Sequence, residues 1–309
     1  MAAGSPPVPS PPFLQPGDRV RLVAASSALA DLERLEAGLA VLQGWGLRLE
    51  DDPRRLQERR WGYLAGRDSE RAGDLQSGPV PQEKVLMACV RGGWGSARLL
   101  EQPLPPGEGW LLGFSDVTSL LWHRLARGQG GAIHGPLLTT LAAEPAWSQE
   151  RLRSLLFGEP LADLEGDAWV GGQAEGPLLA ANLTVATHLL GTPHLPDLDG
   201  AILILEDVGE APYRIERMLT HWRLCGALHR LAGIGFGSFA GCDDPEEADA
   251  EKPRFSLEQV LRERTADLGI PVLAALPVGH TPGNAALPLG VKVRLDAARG
   301  RLSILAAGS

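Results

Sequence analysis

Lysine is nearly absent from this chain. Only Lys84, Lys252 and Lys292 represent it among 29 basic residues, and the others are arginines. Acidic residues number 38, so the formal net charge is −9. That balance leaves no basic field to hold nucleic acid or an anionic membrane surface. Cysteine is scarce too. Cys89, Cys225 and Cys242 are scattered, odd in number and without C-x-x-C spacing, which excludes a disulfide framework and a zinc knuckle. Cys89, inside an apolar run, reads as a small core residue. No pair of the seven histidines has metal-ligand spacing, so neither a metal nor another cofactor is expected. No apolar run is long enough to span a membrane. Residues 1–16 are rich in proline and serine and lack the basic and apolar regions of a secretory signal. The expectation is a protein of the reducing cytoplasm with a disordered tail over 1–16.

What is present is a globular composition, 44% hydrophobic and 22% charged over 309 residues, enough for two domains. The first half alternates short β-like runs (19–24, 47–49, 85–90, 110–113 and a segment ending at His134) with helical patterns (32–43, 69–75 and from 117). Such alternation predicts an α/β domain with a parallel sheet covered by helices. From about 143 to 176 the pattern weakens into acidic, Gly- and Pro-bearing sequence that reads as a connection. The second half carries helical patterns at 182–190 and 213–224 and strand patterns at 201–205, 234–239, 272–275 and 291–295. The division is therefore 17–150, a linker at 151–175, and 176–309. The acidic run 243–251 lacks calcium-loop spacing and reads as a solvated surface loop.

The richest segment is Leu111-Leu112-Gly113-Phe114-Ser115-Asp116-Val117-Thr118. An apolar run ends in glycine and serine and then turns into a helix, the pattern of a nucleophile elbow. Ser115 would stand beside the first free N–H groups of that helix, which can stabilise an oxyanion. Alternatively Ser115-Asp116 simply caps the helix. Arg91-Gly92-Gly93-Trp94-Gly95-Ser96 also follows a strand. Its adjacent glycines suit a phosphate nest, a second oxyanion donor or a plain tight turn. Active sites in parallel sheets lie outside the carboxyl ends of strands, so Ser115, this loop and His134 could share one rim. Glu206 ends the apolar run 201–205, where a carboxylate at a sheet edge can orient a histidine. His280, in Pro277-Val278-Gly279-His280-Thr281-Pro282-Gly283-Asn284, occupies a loop of the composition that places side chains at sites. His123, His221 and His229 fall in helical patterns, and His188 and His194 have no evident partner. Gly233-Ile234-Gly235-Phe236-Gly237 lacks the strand and acidic partner of a dinucleotide loop.

In their order along the chain these segments resemble the L,D-carboxypeptidase family of serine peptidases, the muramoyltetrapeptide carboxypeptidases. The matching pieces are Gly17-Asp18-Arg19-Val20, Tyr63-Leu64-Ala65-Gly66, Arg91 to Leu100, Gly113 to Thr118, and His134-Gly135-Pro136. Leu205 to Glu210, Tyr213 to Leu219, and Gly279-His280 with Asn284 complete the set. The resemblance implies a parallel-sheet α/β N-terminal domain, a smaller β-rich α/β C-terminal domain, a site between them, and a homodimer. It implies Ser115 as nucleophile, His280 as general base and acid, and Glu206 as the carboxylate orienting it. The backbone N–H groups of Gly93 and Asp116 form the implied oxyanion hole. Arg91, Gly92, Trp94, His134 and Arg214 are the implied substrate contacts, with Arg91 or Arg214 clamping a terminal carboxylate. Trp94 and Phe114 stand where the family commonly has tyrosine. The implied substrate is the murein tetrapeptide, cut before its terminal D-alanine. The alternatives are an aminoacyl-nucleotide antibiotic of the microcin C type and a catalytically silent binding protein.

Overall fold

The computed structural model describes residues 10–76, 84–243 and 255–305. The first half holds β1 (Arg19–Val23), α1 (Leu32–Gly44), β2 (Arg48–Leu49), α2 (Asp68–Gly73) and β3 (Val85–Cys89). These are followed by β4 (Trp110–Gly113), α3 (Thr118–Ala126), β5 (Ala132–His134), α4 (Leu138–Leu141) and α5 (Ala146–Phe157). Strands β5, β4, β3, β1 and β2 lie side by side in that order, all parallel. Their side chains alternate between two buried faces, which is why the strands read as continuous apolar runs. Leu86, Ala88, Trp110, Leu112 and Ile133 face a core shared with α1, α4 and α5. Met87, Cys89, Leu111 and Ala132 face the opposite core.

The second half runs β6 (Leu164–Glu165), β7 (Asp167–Val170), β8 (Gln173–Asn182), α6 (Leu183–Leu189), β9 (Ile202–Val208) and α7 (Pro212–Leu224). Next come β10 (Gly233–Ala240), α8 (Leu257–Thr265), β11 (Val272–Ala274), β12 (Leu287–Pro288), β13 (Lys292–Asp296) and β14 (Arg301–Ile304). Eight of these strands form a mixed sheet, ordered β6-β14-β13-β8-β9-β10-β11-β7, with a parallel centre from β8 to β11. β12 leaves it and pairs antiparallel with β5, adding a sixth strand to the first sheet. The second core cluster is continuous across both halves, from Val23 and Met87 to Leu203 and Phe236. Trp122 of α3 joins them directly: its Nε1 donates to Ala180 O at 3.0 Å and its ring meets Trp222 edge-on.

The α/β class and the parallel first sheet match the sequence pattern, with two differences in detail. The segment 151–175, read as a linker, contains most of α5, all of β6 and β7, and the start of β8. Its helix buries Ser148, Arg151 and Ser154 beside Leu152, Leu155 and Leu156, so the apolar periodicity is diluted. The tail read as disordered through residue 16 is packed from Pro12 onward. Leu14 is buried, its amide donates to Leu156 O, Phe13 stacks on Trp110, and Trp110 Nε1 donates to Pro12 O. Residues 1–9 and most of the acidic run 243–251 lie outside the described residues. In agreement with the strand pattern at 234–239, the glycines of the rejected dinucleotide pattern lie within β10, where a Cβ on Gly235 would come 2.4 Å from Ile204 Cδ1.

Candidate active site

Strand β4 ends at Gly113, and the chain enters a 3₁₀ turn, Ser115–Val117, that leads into α3. Ser115 has φ +62°, a left-handed conformation that is strained for a residue bearing a side chain. The turn is secured by Asp116, whose carboxylate is buried. Its Oδ2 accepts from Ser26 Oγ at 2.6 Å and from the Ser96 amide at 2.9 Å. Its carbonyl accepts from Ser96 Oγ at 2.5 Å. The residue after Ser115 therefore ties the elbow to the glycine loop after β3. From the sequence Asp116 was expected to supply an oxyanion amide or to cap the helix; the clamp by its side chain on the glycine loop appears in the fold alone.

The glycine loop approaches Ser115 closely. A Cβ placed on Gly92 would lie 3.1 Å from Ser115 Oγ. Gly93 has φ +108°, and a Cβ there would meet Ser27 Oγ at 2.3 Å, so only glycine fits. The fully buried Arg71 supports the loop from behind, donating Nη1 to Ala25 O and to Gly95 O.

His280 and Glu206 reach Ser115 from the second half. Glu206 lies near the end of β9, paired in register with Asn182 of β8. It is thus in the centre of its sheet rather than at an edge, and fully buried. Its Oε2 is 2.6 Å from His280 Nδ1, and His280 Nε2 is 3.0 Å from Ser115 Oγ. Burial pushes the Glu206 carboxyl above the usual carboxylate range, opposed by the hydrogen bond and charge of His280. Gly279 makes the contact sterically feasible: at φ +123°, a Cβ there would lie 2.9 Å from Glu206 Oε2. The loop bearing His280 is anchored by Glu144, whose Oε2 accepts from the amides of Gly283 and Asn284 at 2.7 and 3.1 Å. Ser148 Oγ donates to Asn284 O, and Arg151 Nε donates to Ala286 O.

The cleft in front of Ser115 has two adjoining lobes of about 350 and 470 Å³. They share Arg34, Phe114, Thr139, Thr140 and His280. Ser115, Arg91, Gly92 and Gly93 line the smaller one. Trp94 is 46% exposed, its amide donating to Ser27 Oγ. Trp94 itself lines neither lobe, and two further expected substrate contacts lie elsewhere. His134 is fully buried behind the array: Phe114 meets it edge-on and sits between it and His280, with centroids at 5.7 and 4.7 Å. Neither of its ring nitrogens has a hydrogen-bond partner among the described residues, and burial pushes its pKa down to about 3. Arg214 lines neither lobe; it pairs with Glu210 and Tyr213 on the surface of α7. Arg34, Thr139, Thr140 and Glu144 were not singled out from the sequence: Arg34 falls in a helical pattern, Thr139 and Thr140 in a stretch assigned to no element, and Glu144 in the supposed connection. His123 and His194, which showed no pairing in sequence, have their Nδ1 atoms 2.8 Å apart. Among the described residues, no three His, Cys, Asp or Glu side chains converge in a way that could hold a metal.

The N-terminal domain of the LD-carboxypeptidase family matches residues 20–135, and its C-terminal domain matches residues 175–295. The chain belongs to the LD-carboxypeptidase family. Two relatives illustrate its range. A Synechocystis sp. protein that carries the carboxypeptidase name provisionally is 48% identical over 94% of this chain and 96% of its own. The murein tetrapeptide carboxypeptidase of Pseudomonas aeruginosa is 36% identical, covering 92% of this chain and 95% of its own. Among solved structures, the microcin C7 self-immunity protein MccF, in an inactive mutant apo state, shares the fold. Its TM-score is 0.84 at 22% identity, over 97% of this chain and 99% of that one. Membership makes this family chain a peptidase of the hydrolase class. Among its described residues no helix is long and apolar enough to cross a membrane.

Proposed function

We propose that the protein is a serine-type L,D-carboxypeptidase that releases the terminal D-alanine of murein tetrapeptide during cytoplasmic cell-wall recycling. The observation that carries this reading is the hydrogen-bonded line Ser115–His280–Glu206, with Ser115 held at positive φ. His280 Nε2 takes the Ser115 proton as Oγ attacks the carbonyl carbon, then gives it to the departing amine. Glu206 orients the imidazole and stabilises the imidazolium that forms. The amides of Asp116 and Gly93 receive the oxyanion, an effect worth about 3–4 kcal/mol per donor in comparable enzymes. Water, activated by His280, then hydrolyses the acyl-enzyme. The name of the Pseudomonas relative supports the murein substrate. The homodimer remains part of the same proposal.

The test is incubation of the purified chain with murein tetrapeptide, scored for free D-alanine. Release by the wild type and none by Ser115→Ala, which should still bind peptide, is the expected outcome. Equal release by both proteins would end the assignment of Ser115.

A second reading, hydrolysis of an aminoacyl-nucleotide, rests on the half-exposed ring of Trp94 beside the glycine loop. That ring offers a stacking face for a base. An aminoacyl-adenylate analogue cleaved in preference to the tetrapeptide would favour it.

A further inference from the structure

A carboxypeptidase faces a recognition problem that an endopeptidase does not. It must read a free carboxylate one residue beyond the bond it cuts. One residue spans at most about 3.6 Å, so the reading group has to face the same lobe of the cleft as Ser115. Two cationic side chains line that lobe, Arg34 from α1 and Arg91 from the glycine loop. Their situations differ. Arg91 donates Nη1 to Ala28 O at 3.0 Å and so braces the loop it belongs to. The Arg34 side chain is 73% exposed, and its nearest carboxylate contact among the described residues is at Nε, 3.4 Å from Asp31 Oδ2. Asp31 is also the N-cap of α1, accepting from the Arg34 amide at 3.1 Å. It therefore steadies the arginine from the Nε side, and among the described residues neither Nη group makes a hydrogen bond. Arg34 also borders the neighbouring lobe, where the His280 loop and Glu144 form the wall. It stands at the junction of the two.

We propose that Arg34 reads the terminal carboxylate of the substrate and so restricts the enzyme to the last residue of a peptide chain. A guanidinium with two free Nη groups matches a carboxylate in a paired, bidentate contact. A C-terminal amide, which is uncharged and offers a single acceptor oxygen, cannot reproduce it. This inference rests on the peptidase reading above. Arg34 lies on a different element from Ser115, His280 and Glu206, so its loss weakens binding more than chemistry.

The experiment uses the full chain carrying Ser115→Ala, with binding of the tetrapeptide acid and its C-terminal amide measured by calorimetry. The acid should bind more tightly by roughly 10- to 100-fold, as expected of a hydrogen bond to a charged group. Adding Arg34→Gln should bring the acid down to the level of the amide, and Arg34→Lys should retain part of the preference. In the active enzyme Arg34→Gln should raise KM by a similar factor with a smaller change in kcat. Acid preference that persists in Arg34→Gln, or that vanishes in Arg91→Gln instead, overturns the inference. Equal binding of acid and amide by the Ser115→Ala protein overturns it as well. A wild type that releases no D-alanine, beside an Arg34-dependent acid preference, would overturn the proposed reaction and leave the carboxylate site standing.

Discussion

Ser115 occupies a backbone conformation that costs a residue with a side chain about 1–3 kcal/mol, and its neighbours hold it there. Asp116 supplies three of the hydrogen bonds that close the turn. Behind Phe114 sits His134, a buried imidazole with no hydrogen bond to either nitrogen among the described residues. It has a consequence for stability. In the unfolded chain a histidine gains its proton near pH 6.5, whereas His134 in the fold gains it only near about pH 3. Between those values the unfolded state binds the extra proton. The stability tied to the neutral ring is therefore complete above pH 6.5 and is lost as the pH falls towards 3. The raised carboxyl of Glu206 acts in the opposite sense, but it is common to wild type and variant. We expect His134→Phe to flatten the loss of stability on acidification, read by urea unfolding from neutrality down to about pH 4. Parallel curves for the two proteins would show that another group carries the acid sensitivity.

At the scale of elements, the loop bearing His280 depends on α5 and the residues just before it. Glu144, Ser148 and Arg151 bind the backbone of Gly283, Asn284 and Ala286. Glu144→Ala leaves two loop amides without their acceptor and lets His280 drift from Ser115. Small misplacements of reacting groups are costly, so kcat should fall by about 10- to 100-fold. Glu144→Gln, which keeps an acceptor oxygen, should recover most of the loss. Steady-state kinetics beside a melting curve would decide: a lowered melting temperature with unchanged kcat would make Glu144 a stabiliser of the fold alone. The sequence made the strands of the first sheet legible, because burial on both faces demands unbroken apolar runs such as Val85 to Val90. It hid α5, because that helix spends buried positions on Ser148, Arg151 and Ser154. Those side chains serve another part of the chain, a demand with no local signature.

At the scale of the molecule, the two halves share one core, and β12 crosses from the second half to complete the first sheet. Trp122 is fully buried at that junction. Trp122→Ala should cost about 3–5 kcal/mol while unfolding remains a single transition by circular dichroism and fluorescence alike. Two separated transitions would show that the halves are independently stable. The sequence by itself determined the fold class and offered Ser115, Glu206 and His280 as candidates, with an elbow at Ser115 weighed against a plain helix cap, and family resemblance gave the three their expected roles. Each of these is written in a local pattern or an ordered set of short motifs. Only the tertiary structure decided that Asp116 clamps the glycine loop, that His134 is shut away from the cleft, and that Arg34 faces it. Those facts depend on which surfaces meet across long stretches of chain, and periodicity along one segment does not carry that information.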